Sequence, residues 1–506
     1  LGNINPRQTT TAAEAEEMTE QVKVVIVGTG FSGLGQAIQL EKAGIRDYLI
    51  LEKAGEVGGT WRDNSYPGCA CDVQSHIYSF SFAQNPEWSR SFSPQQEIFE
   101  YLKRVADSHR LRERIRFGVE ITGAHWDAGA RRWTVETKGG QEFSAQFLVS
   151  GVGGLHIPQI PQLPGIASFQ GQAWHSAQWN HEFELTGKKV AVVGTGASAV
   201  QFVPQIAPEV AELKLFQRTP PWLLPKPDYP MPAWTRRVFR QVPGAQRLYR
   251  GALYWSREAR ALAFTGPSWI MQAAQVGARR HIARGIKDPE LRRKVTPDYT
   301  MGCKRVLLSN DYFPALDRPN VDVITDGVAE VRAHSVVDGA GVEHEADAII
   351  YGTGFKVTDA LDYLDITGVD GRDLAKSWAT EGAQTHKGIT VSGFPNLFFL
   401  LGPNTAVGHT SVIFMIEAQA RYVVDAIRLA DSRGAEALDV RESVQERFQE
   451  HLQGKLAKSV WTQGGCKSWY LDAKGVNRVT WPGFTWRYWL QTRRVEPSDY
   501  ELSGRS

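Results

Sequence analysis

Val22-Lys-Val-Val-Ile-Val27-Gly28-Thr-Gly30-Phe31-Ser32-Gly33 is an apolar run closed by a glycine turn, and a helix-like stretch, Leu34 to Ala43, follows it. Strand, turn and helix in that order aim backbone N–H groups out of a helix N-terminus. Glycines at 28, 30 and 33 permit the tight turn, the close approach of a pyrophosphate and the close packing of helix on sheet. A glycine triplet alone is weak evidence, but a second apolar strand, Tyr48-Leu-Ile-Leu51, comes next and ends in Glu52 and Lys53. An acid at that strand end accepts a hydrogen bond from an adenosine ribose. The spacing therefore predicts a dinucleotide site; an accidental glycine-rich turn would leave the second strand and its acid unexplained.

The unit recurs. Lys189-Val-Ala-Val-Val193 runs into Gly194-Thr195-Gly196-Ala197-Ser198-Ala199, then a helix-like stretch from Val200 to Ala207 and a strand ending Leu213-Lys-Leu-Phe216. At the offset where the first copy has Glu52, the second has Arg218, followed by Thr219. A carboxylate accepts the ribose 2′-OH and repels a 2′-phosphate, whereas a guanidinium pairs with that phosphate. The first site thus suits the adenosine of FAD or NAD, and the second that of NADP. Ala199 replaces the third glycine, where a methyl is tolerated.

A chain of 506 residues is long enough for two or three domains. A net charge of +2, with 22% charged and 42% hydrophobic residues, is that of an ordinary globular protein, so no nucleic-acid partner is expected. No run approaches the roughly eighteen apolar residues of a membrane span. Leu1 to Gln21 is polar and acidic rather than basic and then apolar, so neither a membrane contact nor a signal peptide is expected. The absent initial Met hints at processing, and the tail is expected to pack on something. Four cysteines are too few for a disulfide framework, and Cys69 and Cys71 lie too close to bridge each other easily. This predicts a reducing, cytoplasmic setting. No metal is expected.

Beyond Glu52 lies a loop, Gly58-Gly59-Thr60-Trp61-Arg62-Asp63-Asn64-Ser65-Tyr66-Pro67-Gly68-Cys69-Ala70-Cys71-Asp72, too long for a simple connection. Its aromatics and glycines suit a surface laid against a flat ring. Gly59, Thr60, Trp61 and, just beyond, Tyr78 are candidate cofactor contacts, and Asp72 is a candidate charge, although most loop aspartates are exposed acids or helix caps. Ile115 to Ile121 and Arg132 to Thr137 read as antiparallel strands with a turn at Ala128-Gly129-Ala130. Two strand-to-glycine crossings bracket the second glycine motif: Phe147-Leu-Val-Ser150 into Gly151-Val-Gly153-Gly154, and Ala348-Ile-Ile-Tyr351 into Gly352-Thr-Gly354-Phe355. This predicts an α/β fold with two dinucleotide-binding (Rossmann-like) domains. A tail (1–21) precedes the first part of an FAD domain (22–154), an NADP domain (155–345) is inserted, and the FAD domain resumes with an aromatic C-terminal region (346–506), the crossings serving as hinges.

A helical excursion is expected over about 220–300, where Trp222, Trp234, Trp255 and Trp269 stand among Arg236, Arg237, Arg247, Arg250, Arg257 and Arg260. Such interleaving is also what grips single-stranded nucleic acid or an anionic membrane. The balanced overall charge favours tryptophans turned inward and arginines solvated. Leu397-Phe-Phe-Leu-Leu401 reads as a buried strand whose end faces a cofactor, with a helix from about Ser411 to Leu429 behind it. The C-terminal aromatics, Trp461, Trp481 and Trp489 among them, read mostly as core or domain contacts.

Phe169-Gln-Gly171-Gln-Ala-Trp-His175-Ser-Ala-Gln-Trp179-Asn180 resembles the fingerprint F-x-G-x-x-x-H-x-x-x-W of the type I Baeyer–Villiger monooxygenases, a flavin-dependent class B monooxygenase family. Asn180 departs from the Pro or Asp that ends that fingerprint, while Trp179 stands where the related flavin-containing monooxygenases have Tyr or Phe. The Gly59 to Asp72 loop is similar to the family's second signature, G-x-W, then an aromatic-Pro-Gly and an Asp. The resemblance runs from about Val22 to the aromatic C-terminal region.

It implies FAD and NADPH as cofactors, and a ketone and molecular oxygen as substrates. Hydride passes from NADPH to FAD, oxygen adds at the flavin C4a, and the peroxide anion attacks the carbonyl to give an ester or lactone. That chemistry calls for a fixed cation in a low dielectric. The resemblance gives the role to Arg305 in Gly302-Cys-Lys304-Arg305, puts Lys304 near the NADP phosphate, and makes Trp469 part of a mobile loop that folds over NADP. Asp72, by ion pairing, would hold Arg305 or tune the flavin surroundings. A monomer or weak homo-oligomer is expected. Three rivals share the two-nucleotide pattern. A flavin disulfide reductase needs a redox-active cysteine pair, for which Cys69 and Cys71 have the wrong spacing; an N- or S-oxygenating flavin monooxygenase differs at Trp179 and Arg305; a non-enzymatic redox sensor leaves Arg305 and Asp72 without a purpose. The sequence does not rank cyclic, aryl and long-chain ketones.

Overall fold

The apolar end of Thr19–Val27, Val24 to Val27, can be covered on both faces only near the middle of a sheet, and it sits there, with Val24, Val25 and Ile26 wholly buried. Tyr48–Glu52 pairs with it on one side and Glu142–Ser150 on the other, both parallel. The computed structural model describes residues 19–266, 268–357 and 364–504. The first strand begins at Thr19, so the sheet claims three residues of the expected tail; residues 1–18, and with them the expectation that the tail packs on something, lie outside the described residues.

Eight strands make this sheet. In order across the sheet, Asp365–Thr367, Ile121–Asp127, Arg132–Thr137 and Glu142–Ser150 lead to the first strand, followed by Tyr48–Glu52 and Ile115–Phe117, while Leu397–Phe399 pairs with Glu142–Ser150. The chain leaves the sheet after Ser150 and returns at Asp365. One expectation is corrected: the antiparallel partner of Arg132–Thr137 is Ile121–Asp127, and Ile115–Phe117 is a separate short strand parallel to Tyr48–Glu52. Gly118, at φ 73°, breaks the run between them.

A second sheet of five parallel strands lies between exit and return, in the order Val321–Ile324, Glu212–Phe216, Lys189–Val193, Ala348–Tyr351, Gln172–His175. Ala348–Tyr351, which leads into the Gly352 crossing, is one of its inner strands. Both glycine motifs are built alike. Gly28 (φ 91°) and Gly194 (φ 102°) are left-handed, and a methyl on either would come within 2.9 Å of the Gly151 carbonyl oxygen or 2.6 Å of that of Gly352. Each turn is therefore seated under one of the two crossings. Ala199 fits because the residue facing it is Gly352, which has no side chain to meet the methyl.

The helical excursion contains Ala233–Gln241, Ala245–Glu258 and Ser268–Gly285. Here the expected orientation is reversed. Trp222 is buried, donating to the Tyr299 carbonyl at 2.9 Å, but Trp234, Trp255 and Trp269 are 69%, 60% and 65% exposed. On Ala245–Glu258 the inward positions are taken by Arg250, which donates to the carbonyls of His76 and Ser79, and by Arg257, which donates to Gln74 Oε1 at 2.8 Å. Loop carbonyls without strand partners need donors, and the guanidinium forks meet that need at the expense of the indoles.

The cysteine reading is also corrected. Cys303 and Cys466 form a disulfide across 163 residues, with Cα atoms 6.2 Å apart, and the bridge joins the segment before Arg305 to the C-terminal aromatic region. Spacing along the chain could not show this because the partners meet only in three dimensions. Cys69 and Cys71 are free and buried. Among the described residues no helix is long and apolar enough to cross a membrane, and no group of His, Cys, Asp and Glu could hold a metal ion.

Candidate active site

A cavity of about 380 Å³ runs from the first glycine turn to Arg305 and Trp469. Helix Phe31–Ala43 opens onto it with Gly30 as N-cap, no side-chain cap and no acid in its first turn. The first-turn N–H groups and the positive end of the helix dipole thus face the space. Gly28, Gly30, Phe31 and Ser32 line it, whereas Gly33 is turned into the sheet contact, where a methyl would strike the Gly28 carbonyl oxygen.

Glu52 and Lys53 line the same end. Glu52 is 4% exposed; its Oε2 accepts from the Thr29 N–H at 3.0 Å and hydroxyl at 2.6 Å, and its Oε1 from the Ala54 N–H at 2.9 Å and Arg62 Nη1 at 3.1 Å. A carboxylate held this firmly presents a fixed acceptor edge. Gly59, Thr60 and Trp61 form the adjoining wall, and Trp61 Nε1 donates to the Tyr78 hydroxyl at 3.1 Å, setting two aromatic rings edge to face across 5.4 Å. Burial raises the Tyr78 hydroxyl pKa, so it stays neutral.

The long loop continues beneath this wall and ties the two sheets together. Tyr66 donates to Gln201 Oε1 at 3.0 Å, and Gln201 Nε2 donates to the Ala70 carbonyl at 2.9 Å, Gln201 lying on the helix Ala197–Ile206 of the second unit. At the loop's end Asp72 grips Arg305 with two parallel bonds, Nε to Oδ2 and Nη2 to Oδ1, both 2.8 Å. The Asp72 charge raises the Arg305 pKa further against the opposing effect of burial, so the guanidinium is permanently charged. Arg305 lines the cavity; Asp72 stands behind it. Tyr470, its hydroxyl pushed up to about 12 by burial, adjoins the pair. Burial pushes the Cys69 thiol up to about 12 and raises that of Cys71, so neither is a ready thiolate.

The second motif does not share the cavity. Gly194, Thr195, Gly196, Ala197 and Ser198 form a separate uncapped helix N-terminus, with no acid in the first turn. Thr195 donates to the Thr219 carbonyl at 3.0 Å, joining the glycine turn to the strand end that carries Arg218. Arg218 is exposed, and Lys304 lies close enough that burial and then the Arg218 charge lower its pKa. Two cations crowded against their own repulsion suit a doubly charged phosphate.

None of the fingerprint residues Phe169, Gly171, His175 and Trp179 lines the cavity. His175 is buried at the end of an edge strand beside Phe355, and Trp179 packs against Trp174 and Phe202 at ring distances of 5.8 and 5.3 Å. Trp469, 45% exposed, lines the cavity three residues after the bridged Cys466. Sequence reasoning passed over Arg62, Arg478, Trp378 and the Gly151–Gly154 backbone, all in the cavity wall. Arg62 stood inside the quoted loop, and its partner Glu52 was the available signal; Arg478 and Trp378 carried none.

The residues fit both dinucleotides. An uncapped helix end and a buried acid at one end of an aromatic-walled cavity suit FAD, and a second uncapped helix end with an Arg–Lys pair and no acid in its first turn suits NADP.

The family model described as pyridine nucleotide-disulphide oxidoreductase matches residues 25–251. A Baeyer-Villiger monooxygenase of Pseudomonas aeruginosa is 53% identical over 482 residues, covering 95% of this chain and 91% of that one. Another of the same name from Streptomyces coelicolor is 47% identical, covering 97% and 94%. Among solved structures, cyclohexanone monooxygenase from Rhodococcus sp. Phi1 bound to NADP+ superposes with a TM-score of 0.87 at 27% identity, covering 96% of this chain and all of that one. An oxidised steroid monooxygenase bound to NADP gives 0.85 at 30%, with the same coverage. The monooxygenase OTEMO in complex with FAD and NADP gives 0.87 at 26%, covering 95% and 99%.

Proposed function

The chain belongs to the Baeyer–Villiger monooxygenase family, and we propose that Arg305, held by Asp72, is the cation that stabilises the negative charge developing as oxygen is inserted beside a ketone carbonyl. The protein is an FAD-containing, NADPH-dependent monooxygenase that converts a ketone to an ester or lactone. Bound FAD supplies the redox chemistry, taking hydride from NADPH and activating oxygen.

The chain's own residues do the rest. The Phe31–Ala43 helix end and Glu52 would hold the FAD pyrophosphate and ribose, with Trp61 and Tyr78 beside the ring. Arg218, Thr219 and Lys304 would hold the 2′-phosphate of NADPH, and the Gly194–Ser198 turn its pyrophosphate. Trp469, on the cavity wall, would contact NADPH. The observation that carries the proposal is the two-bond Asp72–Arg305 pair at the cavity wall. It fixes the guanidinium plane while leaving part of it turned to the cavity, so the charge needs no reorganisation when the reaction calls on it.

NADPH supply supports a cytoplasmic location, where the Cys303–Cys466 bridge, with Cys303 1% exposed, would have to be shielded from reduction.

Arg305→Ala is expected to bind FAD and to be reduced by NADPH, yet to release hydrogen peroxide in place of ester. Ester formation should fall on the order of a hundred- to a thousandfold. Arg305→Lys should rescue it only in part, because an ammonium lacks the fork. NADPH consumption followed beside ester and peroxide yields is the measurement. Near-normal ester formation by Arg305→Ala would leave Arg305 a cofactor ligand and move the catalytic role elsewhere.

A further inference from the structure

We infer that the helical excursion is a docking face for an anionic lipid surface, on which the enzyme lies without spanning it. Eight of the thirteen large apolar side chains exposed among the described residues fall between residues 229 and 276. They are ordered. Along Ala245–Glu258, Leu248, Ala252 and Trp255 are all exposed and follow one another at helical spacing on one side. Leu248 is 78% and Trp255 60% exposed. Along Ser268–Gly285, Trp269, Ala273 and Val276 make a second exposed stripe, ending in Arg280. Trp234, on the helix before, and Val242, at its C-cap, are exposed as well.

The face is held in place from behind. Arg250 and Arg257 bind loop oxygens of the first unit, and Tyr254 stacks on Phe414 with ring centroids 5.0 Å apart, so the outward side chains have no core to turn back into. Charge selects the partner. Between residues 233 and 285 there are ten arginines and one acid, Glu258, which is buried against His409 and Thr485. Arg237, Arg247, Arg279 and Arg280 are exposed around the apolar stripes. Exposed tryptophans and aliphatics ringed by arginine, with the neighbouring Glu87 carboxylate already paired to Arg240 at 2.9 Å, match a headgroup layer of negative charge over acyl chains. A single-stranded nucleic acid would use the rings but has no use for Leu248, Leu262 and Val276, which cannot stack on bases.

The test is flotation of the full-length holoenzyme with vesicles of phosphatidylcholine alone or mixed equally with phosphatidylglycerol. Binding is expected only to the mixed vesicles, and added salt should weaken it. Replacing all three of Trp234, Trp255 and Trp269 by Ser, or all three of Arg237, Arg247 and Arg280 by Gln, should lower the partition coefficient. The arginine set should lower it roughly a hundredfold, at about fivefold per residue near the surface. None of the six lines the cavity, so turnover of a water-soluble ketone should persist and report intact folding. Equal binding to neutral and mixed vesicles, no binding to either, or binding that both variant sets retain would overturn the inference. So would self-association abolished by the tryptophan set, which assigns the face to a second copy, or tight single-stranded DNA binding without vesicle binding.

Discussion

Arg218 stands exposed at its strand end with Lys304 beside it, so the coenzyme choice should rest on these two cations. Losing one charge-assisted phosphate contact costs about 1.5 to 3 kcal/mol, roughly ten- to a hundredfold in affinity. Arg218→Ala should therefore shrink the NADPH to NADH ratio of kcat/KM by that factor while leaving kcat/KM for NADH nearly unchanged; an unaltered ratio would remove Arg218 from the phosphate site. Cys69 and Cys71 carry the opposite expectation. Burial holds the Cys69 thiol neutral up to about pH 12 and raises the Cys71 thiol in the same direction. Both should resist alkylation in the folded enzyme at pH 8, and Cys69→Ala with Cys71→Ala should keep ester formation within a few-fold while costing on the order of 1 kcal/mol of stability each. Since their folded pKa values are raised, any stability they lend is intact below the ordinary thiol value and declines as pH climbs from there toward 12. A disulfide-reducing activity that vanished in the double variant, with flavin reduction by NADPH intact, would revive the disulfide-reductase rival.

At the scale of elements, the two glycine turns and the two crossings form one construction used twice. Gly194 is left-handed and its would-be Cβ lies 2.6 Å from the Gly352 carbonyl oxygen. Gly194→Ala should therefore push the turn off the crossing, weakening NADPH binding at least tenfold by titration while FAD content, read from flavin absorbance, stays full. Loss of FAD as well would mean that the second sheet cannot shift without disturbing the first. These elements were legible in the sequence because each rests on local pattern: an apolar run, a glycine with positive φ, an acid or arginine at a fixed offset. The strand Ala348–Tyr351 was visible but its sheet was not, since a parallel strand's partners are set by the crossover and not by its own residues. The helical excursion shows the same limit in another form. Helical periodicity divides Ala245–Glu258 into two faces, both containing aromatics and arginines, and only the carbonyls of His76 and Ser79 decide that Arg250 turns inward and Trp255 outward. The Asp72–Arg305 pair came from a family resemblance; 233 residues of separation carry no local signal.

At the scale of the molecule, the Cys303–Cys466 bridge is a covalent cross-link between the segment leading to Arg305 and the C-terminal region that carries Trp469. Closing a loop of 163 residues removes conformational freedom from the unfolded chain worth on the order of 5 kcal/mol by the loop-entropy account. Dithiothreitol should accordingly lower Tm by several degrees, and Cys303→Ser should reproduce the lowered value and make it indifferent to reductant. The bridge also changes what a cut chain is. A protease that nicks the backbone once anywhere between the two cysteines leaves two polypeptides still joined as one particle. They should migrate as a single band on a non-reducing gel and separate into two only when the sample is reduced.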